Sequence, residues 1–311
     1  MIAVVSEFFD VLGSDAAWKS AVAITAVLLF GASGEWAAER AGTLNISVEG
    51  MLLAGAFGAV VGYSLTERAT VGLLFGIAAG FSVAFVQAEM SHRLTADQFV
   101  VGLALNILVL GLSGFLDGEI GPTARRLPTN DIPLLSDIPL VGEAFFGQSW
   151  LMYLIYPLPV IVWWLVYRTR WGLEVRAVGE NPQSADVSGI DVNKRRRQSI
   201  YLAGLTSGMG GAYLSLAVVG TFTDSIVGGR GFIAIAAVIF GGWTLRGTIL
   251  GCALFGSVVS FRLSLPALGY SLNSEMLTAA PFIVTILGMA VFAHRVRAPE
   301  ALTRPFVRGL R

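Results

Sequence analysis

"GEWAAERAGTLNISVEGMLLAGAFGAVVGY", Gly34 to Tyr63, joins two environments that do not belong together. From Gly50 onward it is apolar enough to sit in lipid, yet it opens with Glu35, Glu39 and Arg40 and carries Asn45 and Glu49 at its entrance. A spanning helix needs about 20 mostly apolar residues, and an ionisable group near the bilayer centre costs about 2.5–3.5 kcal/mol on insertion scales. A chain that brings an amide and a carboxylate to this edge must have something to receive them. Asn45 can cap the helix that follows, and Glu49 can favour its positive end. A structural cap at a lipid–water boundary and a functional role inside the helix bundle both stay open for this pair. Glu39-Arg40 reads as an interfacial pair.

Working outward, the 311 residues are 55% hydrophobic and 14% charged, with a mean hydropathy of +0.71. A soluble domain carries about 25% charged residues, so the composition is that of an all-α polytopic membrane protein. Apolar runs lie near 18–34, 47–64, 69–90, 98–116, 149–167, 199–219, 231–243, 246–263 and 274–293. That gives about nine transmembrane or re-entrant helices in one transmembrane domain covering 1–311. The seventh run is too short to span comfortably and ends in Gly241-Gly242, which marks a broken or re-entrant helix. Zero net charge gives no sign of a nucleic-acid partner.

Lys and Arg in short loops set orientation. The 168–198 connection carries Arg168, Arg170, Arg176 and Lys194 to Arg197, and the tail 294–311 adds Arg295, Arg297, Arg304, Arg308 and Arg311. The 117–148 loop has two arginines against Asp117, Glu119, Asp131, Asp137 and Glu143. Loop 168–198 and the tail are therefore expected in the cytoplasm, with 117–148 and the N-terminus outside. A faint echo between "AGTLNISVEG" (41–50) and "RGFIAIAAVI" (230–239) falls on opposite faces in this topology, as an inverted repeat with interrupted helices requires. Small residues four apart, Ala54, Gly58 and Gly62, and Gly204, Gly208 and Ala212, indicate close helix packing.

Several chemistries have no residues to carry them. The two histidines, His92 and His294, lie at segment boundaries with no HExxH, and Cys252 is the sole cysteine. Neither Lys19 nor Lys194 follows a glycine, so there is no Gly-Lys-Ser/Thr phosphate loop to hydrolyse ATP.

The most informative loop is "YRTRWGLEVRAVGENPQSADVSGIDVNKRRRQSI", 167–200. Asn181 is a good N-cap, Pro182 suits the first helical position, Glu180 sits where the helix dipole favours an acid, and Gly189 suits the residue past the end. A docking helix over 182–188 is predicted, with Asp191 to Asn193 starting the next segment. The stretch "WGLEVRAVGENPQSADVSGIDV" resembles the coupling-helix region of ABC importer permeases of the branched-chain amino acid, simple-sugar and nucleoside group. "ERAGTLNISVEGMLLAGAFGA", "QFVVGLALNILVLGL" and "GGRGFIAIAAVIFGGW" are similar to other motifs of that group, in its order, over about 35–293.

The glycine-rich forms look most like the shorter permease of the nucleoside or simple-sugar branch. The resemblance implies a non-catalytic transport subunit of a prokaryotic plasma membrane that binds no cofactor itself. It implies ATP and Mg in a separate ABC ATPase subunit, a second and unlike permease, and an extracytoplasmic substrate-binding lipoprotein.

For the substrate path the candidates are Asn45, Glu49, Asn106, Arg230, Gly231 and Phe232; for ATPase coupling they are Glu180, Asn181, Pro182, Ala185, Asp186 and Gly189. Asn106 lies mid-segment, where an unpaired amide is expensive, so it must bond another helix or line the path. Phe232 beside the Arg230-Gly231 break can stack on a base or sugar face, and Ala185 is small enough to sit against a partner. Asp224, Arg230 and Glu275 are expected on the external side as solvated charges or as contacts for a delivery protein. The alternative function is an ion-coupled secondary transporter, which also uses inverted repeats, and Glu49 and Glu89 are its few intramembrane acids. A scaffold docked through 182–188 is the third reading.

Overall fold

The computed structural model describes residues 15–138, 142–267, 283 and 297–307. Its long helices are α1 (Asp15–Arg40), α2 (Val48–Thr66), α3 (Ala69–His92), α4 (Gln98–Ile120), α9 (Val192–Tyr213) and α11 (Leu245–Ala267). Between them come α5 (Gly142–Phe146), α6 (Pro157–Arg168), α7 (Arg170–Glu180), α8 (Pro182–Val187) and α10 (Arg230–Phe240). Among the described residues six helices are long and apolar enough to cross a membrane, and Met152–Arg168 and Arg230–Phe240 are shorter apolar ones. The first eight predicted segments thus have helical counterparts; the ninth, 274–293, lies outside the described residues, as does Glu275. The loop 117–148 carries one two-residue ladder, in which β1 (Asn130–Asp131) pairs antiparallel with β2 (Gly147–Gln148).

The helices pack as two antiparallel sets. α1 lies against α9, α3 against α9 and, correspondingly, α11 against α1, while α2 packs on α3 as α10 packs on α11. α1 and α9 end in the same way, at glycines with left-handed backbone: Gly42 (φ 83°) and Gly220 (φ 89°). Only glycine adopts that conformation without steric cost. Each is followed by an irregular stretch and then a helix that starts inside the bundle, α2 or α10. This is the inverted repeat anticipated from sequence, in a different register. "Gly42-Thr43-Leu44" answers "Gly220-Thr221-Phe222", and Glu49-Gly50 answers Arg230-Gly231, so Gly231 stands opposite Gly50 rather than Gly42.

Small residues set the helix separations. The Gly204–Gly208–Ala212 face lies on α3: a Cβ added at Gly80 would meet the Gly204 carbonyl oxygen at 2.7 Å. A Cβ at Gly55 would meet the Gly208 oxygen, also at 2.7 Å. Backbones this close gain dispersion contacts that the lipid cannot supply by hydrophobic drive. α1 is longer than its apolar run because the helix continues, buried, through Glu35 and Glu39. The fifth segment is broken at Pro157 into a 3-10 turn (Met152–Ile155) and α6, and α9 continues into a π-helical stretch, Leu214–Val219.

Candidate functional site

The two interrupted helices meet end to end. The N-cap of α2 is Ser47, whose side chain makes no capping bond. The amide N–H of Gly50, which an N-cap side chain would ordinarily take, instead donates to Oδ1 of Asn106 on α4 at 2.8 Å. The other half of the same amide donates to the Ile46 carbonyl at 3.0 Å. Asn106 therefore bonds another helix, with both halves spent on the entrance to α2. α10 likewise begins at Gly229 without a side-chain cap. Its N–H groups at Gly229 and Gly231 donate to the Glu49 carboxylate at 2.8 and 2.6 Å. The carboxylate thus lies at the positive ends of two helices at once, its own and that of the other repeat. No side chain fits at Gly231, where a Cβ would lie 2.4 Å from the Glu49 nitrogen. Arg230 turns back on its own loop, donating to the Ile226 and Val227 carbonyls at 2.6 and 2.9 Å. Phe232, next along, remains 44% exposed.

Asn45 does not cap α2, because its side chain is occupied within the loop. Its Oδ1 accepts from Ser47 Oγ at 2.7 Å, and its amide nitrogen lies 3.5 Å from the Met51 sulfur. Its backbone N–H donates to Glu35 at 2.9 Å. Glu39 is not interfacial: it is fully enclosed and accepts from the indole N–H of Trp243, whose carbonyl in turn accepts from Trp36 at 2.8 Å. The buried acids of α1 thus hold the start of the α2 entrance and the end of α10. Glu35 and Glu39 were visible in sequence as acids four apart in an apolar helix; their partners, Asn45 and Trp243, are set by the fold.

In the 168–198 connection, α8 covers Pro182–Val187. Asn181 caps it by accepting from the Ser184 N–H at 2.9 Å, and Gly189 follows with φ 86°. Asp191 starts α9 by accepting from Lys194 N–H at 2.9 Å. Glu180 is exposed at the end of α7 and Pro182 is buried beneath the turn. Ala185 faces inward, 4% exposed against Val178 and Val192, while Val187 stands out at 90%. The outward face of α8 is therefore Gln183, Ser184 and Val187, with Asp186 at its edge. α7 was not anticipated from sequence; Thr169, accepting from Gly172 N–H at 3.1 Å, was its cap signal.

A family model described as branched-chain amino acid transport system / permease component matches residues 18–291. The chain belongs to this family. It is 35% identical over 291 residues to the nucleoside ABC transporter permease protein NupC of Lactococcus lactis subsp. cremoris, covering 88% of this chain and 91% of that protein. It is also 35% identical to the guanosine ABC transporter permease protein NupQ of Bacillus subtilis, covering 92% and 94%. With NupP, a second guanosine permease of that species, the identity is 27%, covering 82% and 76%.

As a multi-pass membrane permease of this family, the chain uses its intramembrane acids for internal bonds. Glu89 on α3 accepts from Arg197 at 2.8 Å and Tyr201 at 2.7 Å, and pairs with Arg93 at 3.4 Å. Glu35, Glu39 and Glu49 are bonded as described. Each of these carboxylates accepts at least one N–H or O–H from the protein, while Glu35 Oε2 and Glu39 Oε1 are buried without a hydrogen-bond partner.

Proposed function

We propose that this permease is a membrane subunit of an ATP-driven importer for nucleosides, working with an ABC ATPase, an unlike permease and an extracytoplasmic binding protein. The observation that carries the substrate class is 35% identity, over nearly the whole chain, to nucleoside and guanosine permeases of two species. The 168–198 loop and the 294–311 tail lie in the cytoplasm in this reading, and the N-terminus and the 117–148 loop outside. The chain carries no ATPase; nucleotide and Mg bind the partner.

The path runs past the meeting point of α2 and α10. Phe232 offers its exposed ring to a base or sugar face, and Glu49, Gly231 and Arg230 form the clasp behind it. Asn45 and Asn106 position the entrance to α2 rather than touch substrate. α8 docks on the ATPase through Gln183, Ser184 and Val187, with Glu180 and Asp186 at the rim and Asn181, Pro182, Ala185 and Gly189 shaping the helix. The test is uptake of labelled guanosine by the reconstituted complex with its binding protein, with unlabelled nucleosides, glucose and leucine as competitors. Competition by nucleosides alone is expected; competition by glucose or leucine alone would reassign the substrate.

A further inference from the structure

Residues 297–307 cross the end of the bundle that carries the 168–198 loop, and they touch three separate parts of it. Ala301 N–H donates to the Gly179 carbonyl at the end of α7 (3.0 Å), and Thr303 N–H donates to the Gly42 carbonyl before α2 (3.2 Å). Phe306 packs on Val178, Ala185 and Val192, the seat beneath α8. Arg196, the buried cation of α9, ties the crossing segment to the stretch beside Gly42: its guanidinium donates to the carbonyls of Ala41 (3.2 Å), Ala301 (3.4 Å) and Arg304 (2.7 Å).

These contacts leave little slack. A Cβ on Gly42 would come within 3.0 Å of both the Ala301 oxygen and the Arg196 guanidinium, and one on Gly179 would meet the Arg40 oxygen at 2.1 Å. Thr303 is held at φ 67°, a backbone region that β-branched residues avoid, at the point where it reaches Gly42. Arg196 is 1% exposed, and of the three bonds named for it one goes to the Ala41 carbonyl past α1 and two to the 297–307 segment. A buried guanidinium tolerates the loss of such partners poorly, so the segments it joins are expected to move together.

We propose that the 301–306 segment is a tie that carries displacement of α8 to the break before α2, with Arg196 as its anchor and positioning residue. Movement of α8 pulls its seat and Phe306, the tie pulls Gly42, and the irregular 41–47 stretch re-aims the N-terminus of α2. Glu49 then leaves or keeps the amides of Gly229 and Gly231. This gives the break a route to the coupling helix besides the covalent one through α9. The proposal rests on the reading of α8 as the ATPase-docking helix, and a shift of this kind requires the ATPase to favour one arrangement over the other.

The experiment uses Phe306→Ser, which frees the tie at the α8 seat, and Arg196→Lys, whose single ammonium cannot span three carbonyls. Phe306 is partly exposed, so this variant is expected to fold even if Arg196→Lys does not. Hydrogen exchange of the purified permease is expected to rise at 41–47 in both variants, as well as near the altered residue. In the reconstituted complex, guanosine taken up per ATP hydrolysed is expected to fall at least about fivefold, the low end of typical coupling effects, with assembly and basal hydrolysis retained. Wild-type uptake per ATP in Phe306→Ser, or faster exchange confined to 178–192, would each overturn the tie. Val187→Asp, on the docking face, separates the two levels. If it too binds the ATPase and transports normally, the docking reading fails; if it is dead while Phe306→Ser is normal, the tie alone fails.

Discussion

At Glu49 one carboxylate lies at two helix N-termini, that of α2 and that of α10, where it accepts from the Gly229 and Gly231 amides. An acid in the first turn of a helix is favoured by its own dipole, which local spacing shows. The glycine amides it accepts from lie about 180 residues later, which spacing cannot show. Hydrogen bonds to a charged group are worth about 1.5–3 kcal/mol. Glu49→Gln keeps one acceptor and turns an NH₂ toward the other amide, so the amides of 229–231 are expected to exchange faster and uptake to fall. Unchanged protection of those amides would show that the clasp contributes nothing. Asn106→Leu removes an acceptor from Gly50 and a donor from Ile46 together, and each buried group left unpaired costs about 1–3 kcal/mol. Uptake is expected to drop while the complex still assembles; full uptake, with no change in exchange at 46–50, would refute this role for Asn106.

Elements that carry their own punctuation were legible, and those defined by tertiary partners were not. α8 was readable because Asn181, Pro182 and Gly189 specify its ends within eight residues of each other. Which side of it faces out was not readable, because the inward turn of Ala185 depends on Val178 and Val192 from neighbouring helices. The shortness of α10 was visible from its apolar run, whereas the N-terminus of α2 has no local cap and draws it from α4. The orientation of α8 changes which substitution tests docking. Val187→Asp places a charge on the exposed tip without touching the seat, and ATPase association in a pull-down is expected to be lost with helix content unchanged. Ala185→Trp overfills the seat instead, at a cost of about 1–3 kcal/mol, and is expected to lower thermal stability as well as coupling. Normal association of the Val187→Asp chain would remove α8 from the interface.

Across the whole molecule, the inverted repeat leaves the α2–α10 junction backed by α1, α4 and α9 but open where Phe232 emerges. The face of α4 bearing Leu103, Ile107 and Leu110 is exposed and apolar, a surface suited to lipid or another subunit. A path for a polar solute needs a wall on that open side, which the second permease of the proposed complex would supply. An unlike partner is part of the proposal made for this permease, which covers 94% of NupQ and 76% of NupP, each named a guanosine permease of Bacillus subtilis. Co-expression with the ATPase and a longer family member is expected to yield one copy of each permease on two ATPase subunits by native mass spectrometry, with uptake in proteoliposomes. Co-expression with the ATPase alone is expected to yield neither. Full uptake from two copies of this chain on the ATPase would sink the unlike pair and require the open side of the path to be closed by a second Phe232.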